Sequence, residues 1–256
     1  MHGWIRGLVV AIGVTAMAGS AGATDLVVYS AAAMKAAMES VAAEFTAATG
    51  EHVRFVFGTA GVVRDRVAAG EAVDLVIAPP APLKDLAARG FVVADSIKGL
   101  GETKLGVGVR RGWPHPKLAT EADIQTMLLA APSIGMPDPS TGATTGVYLA
   151  KLFEKMGLAE VLKPKLRLYP DGLQAMEAGA RGDVALGLGQ ISEILPVAGV
   201  ELAGVLPDSL QLRTVYAVSR SSHSGNPAAA QRLYEFLTNS ARAPGMVKFG
   251  FVAPSP

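Results

Sequence analysis

The sequence predicts a two-lobed α/β protein, each lobe a mostly parallel sheet flanked by helices and the two joined by a two-strand hinge. Strand and helix patterns alternate from residue 25 to about residue 90, the order of a parallel sheet built with right-handed crossovers. A second alternating block covers 133–193. Two extended segments, 104–109 and 212–218, bracket that block and read as the hinge crossings. The expected lobes are therefore 24–106 plus 213–256, and 107–212.

The first element is the apolar run Leu26-Val27-Val28-Tyr29, a short buried strand that turns through Ser30-Ala31-Ala32-Ala33 straight into a helix. Met34, Ala37, Met38, Val41, Ala42 and Phe45 recur at helical spacing, and Gly50 stops the run. Residues 53–57 form a second strand that ends in Gly58-Thr59-Ala60-Gly61, and a helix follows over 62–69. Residues 74–78 are a third strand, closed by Pro79-Pro80-Ala81-Pro82, with a helix over 83–89 behind it. In the second block a strand at 133–136 leads through a Gly/Ser/Thr-rich turn, 138–146, into a helix over 147–156. Then come a strand at 166–169, a helix at 173–180, a strand at 183–188 leading to Gln190 and Glu193, and a last helix at 227–241.

The chain has 256 residues, half of them hydrophobic, enough for one large or two modest cores. Lys+Arg 23 against Asp+Glu 22 gives a net charge of +1, with no basic stripe, so no nucleic-acid partner is expected. Residues 1–23 carry Arg6, an apolar run over 8–18 and the small residues Ala21-Gly22-Ala23, the pattern of a cleaved secretory signal peptide. With no cysteine, the expected location is a bacterial periplasm, with stability from the core alone.

The chemistry is concentrated in the turns. A helix N-terminus presents free N–H donors and the positive end of the macrodipole, and small residues let an anion approach them. The turns at Ser30 and Ala31, at Gly58, Thr59, Ala60 and Gly61, and at Ser140 to Gly146 with Thr144 and Thr145 stand at equivalent strand-to-helix positions, so they are expected to share one interlobe cleft. Arg64 is a candidate carboxylate clamp, whereas an arginine early in a helix is ordinarily a solvated charge. Asp138, Asp171 and Glu193 read first as caps, and Trp113 as a loop anchor. The four histidines are scattered and cysteine is absent, so no metal site and no cofactor are expected. Neither a nucleophile elbow nor a phosphate-binding loop is present, and Gly106-Val107-Gly108 lacks the spacing of a dinucleotide fingerprint.

The segments Val28-Tyr29-Ser30-Ala31-Ala32-Ala33-Met34, Phe57-Gly58-Thr59-Ala60-Gly61, Asp74-Leu75-Val76-Ile77-Ala78 and Gly146-Val147-Tyr148-Leu149-Ala150 together resemble the periplasmic molybdate-binding proteins. These are type II solute-binding proteins of ABC importers, and the resemblance spans essentially the whole mature chain. It implies the type II periplasmic-binding-protein fold, a small anionic ligand, membrane subunits of an importer as partners, and action as a monomer. It also implies where the ligand contacts lie. At two positions where the family carries serine this chain has Ala33 and Ala60, and Gln190 stands where the family has a tyrosine. Thr145 falls where a backbone N–H is used. Each lost hydroxyl costs a tetrahedral oxyanion about 1 kcal/mol or more, so an organic carboxylate is favoured over molybdate. Some similar periplasmic proteins isomerise aconitate, which leaves an enzyme as the alternative, with Tyr29 and Glu193 as candidate bases.

Overall fold

A computed structural model describes residues 25–254, so the expected signal peptide lies outside the described residues. β1 (Leu26–Ala31) runs through a single 3₁₀ turn (Ala32–Met34) into α1 (Lys35–Thr49). β2 (Val53–Gly58), α2 (Ala60–Ala68), β3 (Leu75–Ala78) and α3 (Pro80–Ala88) follow. β4 (Lys98–Arg110) is the longest strand, and α4 (Glu121–Ala130) packs after it. The second lobe continues with β5 (Ile134–Pro137), α5 (Thr144–Lys155), α6 (Ala159–Leu162), β6 (Leu166–Tyr169) and α7 (Gly172–Arg181). β7 (Leu186–Gln190), α8 (Ile191–Ile194) and β8 (Val200–Val205) complete it, and β9 (Arg213–Arg220), α9 (Pro227–Thr238) and α10 (Ala243–Met246) pack with the first lobe.

The strands hydrogen-bond in the order β2-β1-β3-β9-β4-β7-β5-β6, with β8 on β4. β1 pairs in parallel with β2 and β3, and β5 in parallel with β6 and β7. β4 ties the two groups together. Its first half, from Lys98 to Lys104, pairs antiparallel with β9, and its second half, from Leu105 onward, pairs with β7 and β8. One strand thus belongs to both lobes.

Each sheet is covered on both faces, which is why its strands read as nearly unbroken apolar runs. The period of two sorts the side chains. Leu26, Val28, Leu75 and Ile77 face α1 and α9, where Phe45 meets Phe236 edge-on at 5.2 Å. Tyr29, Val76 and Ala78 face the other way, against Val63, Leu83 and Leu86. In the second lobe Leu105, Val107, Ile134 and Met136 pack under Ile124, Leu149 and Phe153. The opposite face is thin. A Cβ at Gly108 would stand 2.7 Å from the Met176 sulfur, so glycines in β4 and β7 are what admit α7 there.

Several elements have no counterpart in the sequence reading, the short helices α6, α8 and α10 among them, and two others show why. α4 is capped by Thr120, whose hydroxyl accepts from the Asp123 N–H while the Asp123 carboxylate accepts from the Thr120 N–H, so its start is defined by a capping box and not by its weak apolar stripe. β8 is half-exposed and contains Gly204, so neither alternation nor a solid apolar run marks it.

Candidate functional site

The carboxyl ends of β1, β2, β5 and β7 converge on one small pocket between the lobes. Of the residues expected in the site, Ala31, Gly58, Thr59, Ala60, Thr144, Thr145 and Gln190 line it. Ala33, which replaces a family serine, lines it too. The enclosed space is about 20 Å³, room for little more than a water molecule or two, so the lobes are drawn together.

The residues at the rim explain that closure. The Thr59 hydroxyl donates to the Thr141 carbonyl at 2.6 Å while accepting from the Val62 N–H at 3.2 Å. The Gly61 N–H donates to the Gly142 carbonyl at 3.2 Å. A Cβ at Gly61 would meet the Thr141 oxygen at 2.7 Å and the Gly142 Cα at 2.8 Å, so only glycine permits this approach. Gly142 itself holds φ at +69°, the left-handed region. Gly61 therefore stands beside the pocket as part of the contact between lobes.

Two further expected residues lie away from the pocket. Ser30 is fully buried in β1, and its hydroxyl donates to the Ala31 carbonyl at 3.2 Å. Arg64 is not among the lining residues. Its guanidinium pairs with Asp65 at 2.7 Å on the exposed side of α2, whose buried face is Ala60, Val63 and Val67. A clamp by Arg64 has no geometric basis in this arrangement.

Donors are nonetheless abundant. The first N–H groups of a helix have no acceptor within it. α2 meets this need with Thr59, and α7 with Asp171, whose carboxylate accepts from the Gln174 N–H at 2.9 Å. The 3₁₀ turn leading into α1 and the start of α5 begin instead at Ala31 and Ala143, and neither makes a side-chain cap. Alanine is among the poorest caps. Two uncapped helical starts, one from each lobe, thus face the same small space.

The polar floor was only partly foreseen. Tyr216, on β9, donates its hydroxyl to the Gln190 Oε1 at 3.0 Å, and the Gln190 Nε2 donates to the Thr214 hydroxyl at 3.3 Å. Gln190 is thereby fixed between β7 and β9. Burial raises the Tyr216 phenol far above its ordinary value, and the charge of nearby Glu193 adds to this, so it stays a neutral donor. Glu193 also lines the pocket, 6% exposed, with its Oε2 accepting from the Gln190 N–H at 3.0 Å. Burial pushes its carboxyl up to about 7 against the opposing effect of its backbone donors at Gln190 and Gly172, and Asp171 adds to the rise. Asp171-Gly172 follows a strand and opens a helix, so the rule that found the other turns applies to this one as well. Among the residues that line the pocket none is lysine or arginine.

A larger groove of about 470 Å³ adjoins the pocket at Ala32, with Lys35 and Glu39 on one side and Leu173, Glu177 and Arg181 on the other. It is not where the helical starts converge. The polar chemistry belongs to the smaller space.

The family model for bacterial extracellular solute-binding proteins matches residues 26–252. An aconitate isomerase from a Pseudomonas species is 31% identical over 229 residues, covering 86% of this chain and 84% of that protein. The molybdate-binding protein ModA of Escherichia coli K12 is 24% identical over 243 residues, covering 92% and 93%. The solved periplasmic molybdate-binding protein of Azotobacter vinelandii superposes with a TM-score of 0.77 at 19% identity, over 90% of this chain and all of that one. With a two-lobed fold joined through β4 and β9 and an anion-type pocket at the strand ends, the chain belongs to the bacterial extracellular solute-binding proteins, in their type II, molybdate-binding-like branch.

Proposed function

We propose that this protein captures a small organic carboxylate between its lobes and delivers it, from the periplasm, to the membrane subunits of an ABC importer, acting as a monomer. The observation that carries this reading is the pair of alanine-capped helical starts, at Ala31 and Ala143, facing one pocket from opposite lobes. A ligand anion supplies the acceptors those backbone N–H groups lack. Contacts from both lobes are also what a ligand needs in order to favour the closed state. The segments 104–109, in β4, and 212–218, leading into and along β9, are proposed as the hinge between lobe 24–106 plus 213–256 and lobe 107–212.

The carboxylate is preferred because Ala33 and Ala60 put methyl groups into the pocket where the resemblance calls for hydroxyls, and Thr59 spends its own hydroxyl proton on Thr141. The groove beyond Ala32 gives the rest of an organic acid somewhere to extend. Recognition then rests on backbone donors, Thr144, Thr145 and Gln190, with Arg64 outside the contact set. The test is a thermal-shift and calorimetric screen of cis- and trans-aconitate, citrate, sulfate and molybdate, since a bound ligand raises stability by mass action. Stabilisation by a carboxylate and weak binding of molybdate are expected. Tight molybdate binding with no carboxylate response would overturn the ligand assignment.

A second reading is an aconitate isomerase using the same pocket. It is favoured by the 31% identity to such an enzyme and by a buried carboxyl, Glu193, in the pocket wall. Incubation with cis-aconitate and measurement of the isomer ratio separates the two, because a binder leaves the ratio unchanged.

A further inference from the structure

The pocket contains an electrostatic contradiction. Its helical starts suit an anion, yet its wall holds the carboxyl of Glu193, nearly inaccessible to water and without a lysine or arginine among the lining residues to offset it. The Glu193 Oε2 is held by the Gln190 N–H at 3.0 Å, and Gly172 also donates its backbone N–H to the carboxylate. The fit leaves no slack, because a Cβ at Gly172 would overlap the Glu193 carboxylate. Glu193 is therefore held at the pocket wall by two backbone N–H groups, in the space that an arriving anion must share.

The groups around it sharpen the point. α7 contributes Asp171, whose charge is unfavourable to an ionised Glu193. β9 contributes Tyr216, a neutral hydroxyl. β7 and the 3₁₀ turn Ala32–Met34 carry no ionisable side chain. Of the other charges on the packed elements, Glu201 of β8 pairs with Arg111 and His115, Glu102 of β4 with Arg213, and Arg181 of α7 with Asp183, while Lys98, Lys104 and Arg110 of β4 and Arg220 of β9 do not line the pocket. Lys35 pairs with Glu39 at the adjoining groove, and Glu177 lines that groove too. The only inexpensive way to seat an anion beside Glu193 is to neutralise it.

We infer that Glu193 is the proton-exchanging group of this pocket, taking one proton from solvent as an anion binds, so that the ligand is captured as an anion together with a proton. This rests on the anion-binding reading above. The step is a simple protonation: carboxylate plus a solvent proton gives the carboxylic acid, and release of the ligand returns the proton. A protonated Glu193 also turns an acceptor into a donor, adding a hydroxyl to a pocket where two family serines are alanine.

Calorimetry tests this directly, with trans-aconitate and with sulfate, which stays fully ionised over the range, as probes. Binding is measured from pH 6 to 8.5 in amine and zwitterionic buffers of different ionisation enthalpy. At pH 8 the observed enthalpy should vary with buffer, with a slope approaching one proton per anion; at pH 6 the slope should be near zero. The dissociation constant should rise toward tenfold per pH unit above about 7, as linkage requires. Glu193→Gln should bind with neither buffer nor pH dependence. Asp171→Asn, which removes the neighbouring charge and retains Glu193, should move the onset of proton uptake to higher pH relative to the wild type only if Asp171 lowers Glu193, and to lower pH as the present geometry requires. Binding without proton uptake in the wild type, or uptake that survives in Glu193→Gln, overturns the inference and leaves anion binding standing. Failure of both probes and of the wider anion screen to bind overturns both.

Discussion

Glu71 and Glu193 are the same side chain in opposed settings. Glu71, half-exposed at the end of α2, receives the Tyr29 hydroxyl at 2.5 Å and the Arg66 guanidinium through Nε at 2.9 and 3.0 Å. The same guanidinium stacks over the Tyr29 ring at 4.7 Å. The Arg66 hydrogen bonds, then the Tyr29 hydroxyl, hold the Glu71 carboxyl down to about 2. Glu193 has backbone donors only, no cation and little water, and burial lifts it to about 7. Two backbone donors alone thus leave a buried carboxyl raised, whereas an arginine and a phenol hold an exposed one lowered. Glu71 is built to stay charged, and Glu193 to change.

The largest effect expected from this contrast is on stability. A carboxyl raised in the folded state contributes stability in full below its unfolded value, near 4.5, and loses it as pH rises through about 7. Ligand-free protein should therefore lose about 3 kcal/mol between pH 4.5 and 7, taking about 1.4 kcal/mol per pH unit. In Glu193→Gln that portion of the slope should vanish in denaturant titrations across the same window; an unchanged slope would assign the loss to other groups.

Next in size is Gly172→Ala. Its methyl must displace the Glu193 carboxylate, at a cost of about 2 kcal/mol, the scale of overpacking in a tight interior. Adding Glu193→Ala should recover much of it, and a double-mutant cycle measures that coupling.

Gly61→Ala acts more gently and asks whether the setting of Glu193 depends on closure. The new methyl forces the lobes apart at Thr141 and Gly142, which rehydrates the pocket. Ligand affinity should fall about tenfold, equivalent to about 1.4 kcal/mol, and the pH at which Glu193 titrates should drop toward the ordinary carboxyl range. Scattering measurements with and without ligand report the opening. The smallest effect belongs to Glu71→Gln. Exposed ion pairs contribute little, so stability near pH 7 should barely change, and only the loss on acidification below about 4.5 should soften, since a depressed carboxyl gives up its contribution as pH falls through its folded value.

Much of the fold was legible in the sequence because buried parallel strands are unambiguous. The runs at 26–29, 53–57 and 74–78 reappear as β1, β2 and β3 within a residue or two at each end. β4 was read only as 104–109, since its first half carries Lys98, Gly99 and Gly101 and looks like a loop until β9 pairs with it. Within the site, the small-residue turns announced themselves through strand-to-helix spacing. Tyr216 did not, because it lies mid-strand in a segment read as a crossing, and only the pairing of β9 with β4 brings it under Gln190. Arg64 was legible as an unusual charge early in a helix, but spacing alone does not reveal which side of α2 it occupies. Its neighbour Asp65 supplies the partner that draws it outward.

The contact that shuts the cleft needs a single side chain: the Gly61 N–H bonds the Gly142 carbonyl, and the Thr141 carbonyl receives the Thr59 hydroxyl. Apart from Thr59, such a fastening does not depend on which side chains fill the pocket behind it. The side chains at positions 33, 60 and 190 take no part in that fastening, so a change of pocket chemistry there leaves the closing contact in place. A lineage built on this rim explores new solutes, and on occasion new chemistry, by changing what is held without altering how it is held.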